Sequence, residues 1–137
     1  MDGHGVPLLV LTTPANVRDE KPLLEMLELL PAIQGRRGRP RRRIGTLYGD
    51  RGYGFPSIIR EVRARGIRPR LAPRWTPEHG SGLGRKRYVV EQTLACLGHC
   101  RRLKLCYEKT GPHFQAFHEI AEGLFCFGRL QQVTRPL

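Results

Sequence analysis

The sequence predicts an α/β fold. Three observations carry this. Short apolar runs bounded by turn residues occur at Val6–Thr13, Gly45–Gly49 and Ile67–Ala72. Stretches with apolar residues at helical spacing lie between and after them, so the order reads β-α-β-α-β-α-α. The 137 residues suit one domain that buries roughly two-thirds of its unfolded surface. With 39% hydrophobic and 26% charged residues, wholesale disorder is excluded. No apolar run approaches the roughly 20 residues of a membrane span. Met1 to Val10 carries no basic stretch ahead of its apolar run, so it does not read as a secretory signal. A cytoplasmic protein with no membrane partner is expected.

Each element has a local reason. Val6–Thr13 (VPLLVLTT) reads as a buried strand stopped by Pro14. Asp19–Leu30 reads as a helix: Asn16 or Asp19 can cap it, Leu23, Leu24, Leu27 and Leu30 share a face, and Pro31 ends it. Gln34–Arg43 (QGRRGRPRRR) is an exposed basic loop broken by Gly and Pro. A short strand, Gly45–Gly49, ends at Asp50. Phe55, Ile58, Ile59 and Val62 mark an amphipathic helix, with Gly66 as its stop. Ile67–Ala72 alternates apolar residues with Arg, and Pro69 makes it an edge strand. Pro73–Arg85 reads as a loop, Arg87 to about Tyr107 as one long helix, and Phe114, Phe117, Ala121, Leu124 and Phe125 as a last amphipathic helix. Residues 1–130 are expected to form the domain, and 131–137 a flexible tail.

Charge narrows the function. Lys plus Arg exceed Asp plus Glu by 24 − 12 = +12. Most of the excess is Arg, whose planar fork suits phosphate oxygens, so nucleic acid is the expected partner. Charge alone does not separate an enzyme from a non-catalytic basic DNA- or RNA-binding protein. Cys96, Cys100, Cys106 and Cys126 include no CxxC pair, and reduced thiols are expected. Cys100, Cys106, His113 and His118 lack the spacing of a zinc finger.

Two acids stand out. Asp50 follows a strand end within Tyr48-Gly49-Asp50-Arg51-Gly52-Tyr53, and ligands collect at such ends in α/β sheets. The plainer reading of an Asp there is a helix cap. Glu91 lies within the long helix, with Arg87 four residues before it and Ala95, Gly98 and Arg102 on the same computed stripe. The plainer reading is an ordinary surface pair with Arg. Acids amid positive charge point to metal ions acting on phosphate: carboxylate oxygens suit Mg²⁺ or Mn²⁺, and a two-ion site activates the attacking oxygen and stabilises the leaving one. Such a site calls for a third carboxylate.

At these residues the chain resembles a known family. Asp50 in LYGDRGY and Glu91 in RKRYVVEQTLACLGHCRRL look like the second and third acids of DDE transposases of bacterial insertion sequences. GVPLLVLTTPANVRDEKPLLEMLELLP, GRRGRPRRR, EHGSGLGR and YEKTGPHFQAFHEIA are also similar to that group, so the likeness spans about residues 3 to 130. Arg87 matches the Arg of the family's signature around its last acid. The Lys of that signature is absent, since Gly98 stands there, and Arg101 and Arg102 are the neighbouring candidates for its charge. Gln92 stands where the group often has Arg.

The resemblance implies a ribonuclease H-like domain, a mixed sheet flanked by helices, that cuts transposon-end DNA with water and joins the freed 3′-hydroxyl to target DNA. It implies Asp50 and Glu91 as catalytic metal ligands for two Mg²⁺ or Mn²⁺ ions. It implies DNA contacts from Arg87, Arg101 and Arg102 and from the basic loop, Arg36, Arg37, Arg39, Arg41, Arg42 and Arg43. A complete transposase of this kind is expected to be oligomeric and nucleoid-associated.

The family's first catalytic Asp lies upstream of the segment matching Val6–Thr13. Asp2 falls in the turn before that strand, within DGHGVPL, and does not replace it. The fold is therefore expected to be partial, without its first strands. Losing them removes on the order of ten ladder hydrogen bonds at about 1 kcal/mol each, against a whole-domain stability of about 5–15 kcal/mol. The chain alone is expected to be unstable and without cutting activity. Smaller features, namely Gly80, Gly82 and Gly84, Trp75, His79, His113 and His118, receive no role.

Overall fold

A computed structural model describes residues 1–18, 20–34, 37–71 and 84–134, without the side chains of 84–87 and 134. Asp19 as a cap, Arg36, the 73–83 part of the expected loop with Trp75, His79, Gly80 and Gly82, and residues 135–137 of the expected tail lie outside the described residues. The chain divides into two compact units, Ala15–Lys86 and Met1–Pro14 with Arg87–Leu137.

The first unit is built around a β-α-β element. Strand β1 (Thr46–Gly49) and strand β2 (Arg68–Leu71) pair in parallel, Thr46 opposite Arg68 and Gly49 opposite Leu71. Parallel strands need a crossover, and helix α2 (Pro56–Ala64) supplies it. Pro56 opens α2, where its missing N–H costs nothing. The helix closes in a Schellman motif around Gly66 at φ +73: Gly66 N–H donates to Arg63 O at 2.9 Å and Ile67 N–H to Val62 O at 3.2 Å. Ile58 and Val62, one turn apart, are buried with Ile67 and Leu71. Leu23, Leu24 and Leu27 of helix α1 (Glu20–Leu29) pack against that core. Arg65 joins the two helices, holding Glu28 at 3.1 Å and Glu61 at 3.0 Å. The alternation, both short strands and the stop at Gly66 stand as the sequence predicts.

The second unit is helical: α3 (Gly84–Gly98), α4 (Arg101–Lys104) and α5 (Gly111–Thr134). Three sequence expectations change here. Residues 6–13 form no strand. Their backbone groups meet side chains instead: Thr12 N–H donates to Gln115 Oε1 at 2.8 Å, and Gln115 Nε2 donates to Val10 O at 2.9 Å. A strand exists only with a ladder partner, and the described ladder belongs to β1 and β2. The expected long helix from Arg87 to Tyr107 is broken. His99 and Cys100 close α3 with short-range bonds, and Cys100 at ψ 111 opens α4. Gly98 just before the break is a poor helix former. Finally, α5 continues through residues 131–134, where a tail is expected, because no proline interrupts it before Pro136.

The N-terminal segment of this unit is fixed by polar contacts. Asp2 Oδ1 accepts the N–H groups of His4 at 2.8 Å and Val6 at 2.9 Å. Thr93 is buried in α3, and its hydroxyl donates to Gly5 O at 2.7 Å. Gly5 sits at φ +81, and a Cβ there would lie 2.8 Å from Val89 Cγ1. This position therefore needs glycine for both its conformation and its space.

Candidate functional site

Asp50 is the first residue past β1, at the carboxyl end of a parallel pair. Ligands bind at this end of α/β sheets because the strands stop there and loops diverge. Its side chain is exposed, and Oδ1 accepts the Gly52 N–H at 2.8 Å, capping a single 3₁₀ turn over Arg51–Tyr53. The capping role weighed from the sequence is thus present, and it occupies one carboxylate oxygen. Gly49 lets the sheet end close tightly, since a Cβ there would stand 2.7 Å from Leu71 Cδ2.

Glu91 is exposed on α3, in the other unit. Arg87 lies one turn earlier on the same helix, with its side chain outside the described residues. Ala95 and Gly98 follow on the stripe. Arg102 does not, because α3 ends at Gly98 and Arg102 belongs to α4. Its guanidinium pairs with Glu108 at 3.0 Å and lies 5.0 Å from the Phe117 ring centroid and 5.9 Å from that of Tyr107. Arg101 beside it is exposed.

The basic loop is built, not merely composed. Ile33 and Arg41 exchange two backbone hydrogen bonds, at 2.8 and 2.9 Å, which close its base. Gln34 Nε2 donates across it to Gly38 O at 3.1 Å. Arg37, Arg39, Arg41, Arg42 and Arg43 line a cavity of about 440 Å³ whose apolar wall is Leu30, Pro31, Ile33 and Ile44. Among the described residues none of these five arginines forms an ion pair. Sequence reasoning found the arginines and missed the apolar wall. The signal was present in the Leu-Pro and Ile residues that flank both ends of the run.

No group of three His, Cys, Asp or Glu side chains comes together among the described residues. The four cysteines form no disulfide. No described helix is long and apolar enough to cross a membrane.

Residues 1–121 match the Transposase DDE domain family. A protein of Burkholderia cepacia, assigned by its name as transposase for insertion sequence element IS402, is 42% identical over 136 residues. That alignment covers 99% of this chain and 64% of the relative, so the chain spans less than two thirds of that protein's length. No solved structure matches the chain. A family domain matched over most of the sequence, with an insertion-sequence relative aligned along nearly all of it, makes this chain a member of the DDE transposase family of insertion sequences.

Proposed function

We propose that the chain is part of a ribonuclease H-like transposase catalytic domain and supplies two of its three metal-holding acids, Asp50 and Glu91. The observation that carries this reading is the place of Asp50, an exposed carboxylate at the carboxyl end of a parallel strand. The reaction is cleavage of DNA at transposon ends followed by joining to target DNA. Both steps are displacements at phosphorus.

The donor chemistry fits Mg²⁺ or Mn²⁺, because both acids offer hard carboxylate oxygens. Asp50 and Glu91 would hold the ions, and bound ions supply activation of the attacking oxygen and stabilisation of the leaving one. The resemblance puts the family's first acid ahead of the segment that matches Val6–Thr13, and Asp2 in the turn before that segment is not its substitute. On this reading the 137-residue chain by itself does not cut DNA.

The chain's own residues act on DNA through charge and position. Asp50 is held by its bond to Gly52, which fixes where its second oxygen points. The arginine loop, with Arg36 added from its sequence position, holds the phosphate backbone. Arg87 supports Glu91 or the DNA beside it. Arg101 is the better placed of the α4 pair to reach DNA, since the charge of Arg102 is already met by Glu108. A complete transposase of this family would act as an oligomer on two DNA ends, in the cytoplasm at the nucleoid.

The test compares two proteins on insertion-sequence-end DNA with Mn²⁺: this chain, and this chain extended by the coding sequence upstream of Met1. Nicking by the extended protein that disappears in Asp50→Asn and Glu91→Gln supports the reading. Nicking that survives either substitution overturns it. The unpaired arginines around their cavity also favour DNA binding by the chain alone, whatever its catalytic state.

A further inference from the structure

The arginine cavity has more shape than backbone contact requires. Phosphates of a duplex are met by side chains on a flat or convex surface, and such contacts carry no need for an apolar wall. Here Leu30, Pro31, Ile33 and Ile44 line an open cleft of about 440 Å³ together with Arg37, Arg39, Arg41, Arg42 and Arg43. A cleft of this volume is within the range that small-molecule groups occupy. The bridge between Ile33 and Arg41 ties the loop's two ends together beside this cleft. Ile33 is 42% exposed although it is a large apolar side chain, and it faces this space.

An unstacked nucleobase matches these features. It is flat, it stacks on guanidinium planes and apolar side chains, and it carries a phosphate on either side. We propose that this cleft takes an unpaired nucleotide of DNA, the base against the apolar wall and its flanking phosphates on the arginines. The chain would then favour DNA with a single-stranded end over blunt duplex. This inference rests on the reading of the loop as a DNA-contacting surface, and it names the form of DNA that the loop selects.

The experiment uses the full 137-residue chain and fluorescence anisotropy with three labelled DNAs at one salt concentration. They are a blunt duplex, the same duplex with a short single-stranded tail, and the same duplex with a tail of abasic sites. The expected result is about tenfold tighter binding of the ordinary tail than of either other DNA, the scale of one stacked base. Ile33→Ser, which keeps every charge and the backbone groups of the bridge, is expected to bring that ratio close to one. An abasic tail that binds as tightly as the ordinary tail overturns the proposal, because phosphates and flexibility then suffice. Equal binding of tailed and blunt DNA also overturns it. If Arg39→Ala with Arg42→Ala still weakens both in that case, the DNA-contact reading stands without it. If those substitutions weaken neither DNA, both readings fall. The three-DNA comparison on the unsubstituted chain decides even where Ile33→Ser loses its helical circular dichroism.

Discussion

Replacing Asp50 by asparagine separates its two tasks. Asparagine keeps an oxygen that accepts the Gly52 N–H, so the 3₁₀ turn and the fold are expected to survive, while the metal-holding carboxylate is gone. Asp50→Ala removes both, and urea denaturation is expected to show an added loss of about 0.5–2 kcal/mol for the missing cap. In the upstream-extended protein both variants are expected to abolish nicking. Equal stability of the two would mean that the turn does not depend on this bond. Thr93 makes a second residue-scale case. Thr93→Val leaves the Gly5 carbonyl without its 2.7 Å partner in a buried place, for a cost of about 1–3 kcal/mol. Gly5→Ala is expected to cost more, since it forces φ +81 on a side chain and drives its Cβ to 2.9 Å from Thr93 Oγ1. Thermal midpoints of the two variants, measured together, check that order.

At the scale of elements, α2 depends on how it stops. Gly66→Ala has open space for its Cβ, so its expected cost of about 1–2 kcal/mol comes from the left-handed backbone alone. A urea midpoint unchanged by this substitution would remove the Schellman motif from the account. Helix α5 carries a pH effect. His118 lies edge-on to Phe114 at 4.8 Å, and its Nδ1 is buried without a hydrogen bond among the described residues. Burial lowers its pKa below the ordinary 6.5. The folded chain therefore holds this ring neutral where the unfolded chain binds a proton, so its contribution is present above 6.5 and is lost as pH falls below it. Glu122 on the same helix acts oppositely: burial raises its pKa, and its contribution is lost as pH rises. The difference between the unsubstituted chain and His118→Phe isolates the first effect. Its melting temperature is expected to fall more steeply in the unsubstituted chain, from one unit above 6.5 to one unit below.

The whole molecule is governed by its net charge of +12 and by where that charge is left unpaired. Binding to DNA is expected to weaken steeply with salt, log K falling by about 0.9 per phosphate contacted for each tenfold rise in concentration. Replacing Arg39 and Arg42 by Ala together is expected to reduce that slope by up to about two such contacts. A slope that stays the same would place the phosphate contacts elsewhere, with Arg101 and the first turn of α3 as the next surfaces to test. Large apolar side chains remain exposed on α5, among them Ile120 at 58%, Leu124 at 66% and Phe127 at 58%. Among the described residues of the second unit's helices, Thr93, Leu97 and Ala121 are buried.

What the sequence by itself determined is local. The β-α-β element, the burial of Ile58 and Val62, the stop at Gly66 and the place of Asp50 at a strand end all follow from spacing and turn chemistry within about 25 residues. The family membership was legible as well, as a resemblance running along about residues 3 to 130 that the family match over residues 1–121 shows. Tertiary structure decided the rest, because each remaining feature depends on a partner that spacing does not name. Val6–Thr13 has the composition of a strand, but a strand is a pairing, and Gln115 takes the hydrogen bonds that a ladder would have used. Arg102 fits the Glu91 stripe only if the helix runs straight through Gly98 and Cys100. It turns there, and the charge goes to Glu108. The described arginines of the run are exposed, as their composition predicts, and what spacing does not name is the Ile33–Arg41 bridge and the apolar residues that line a cavity with them. Charge was legible in the sequence, and the cavity was not, since a cavity is a property of which surfaces face one another.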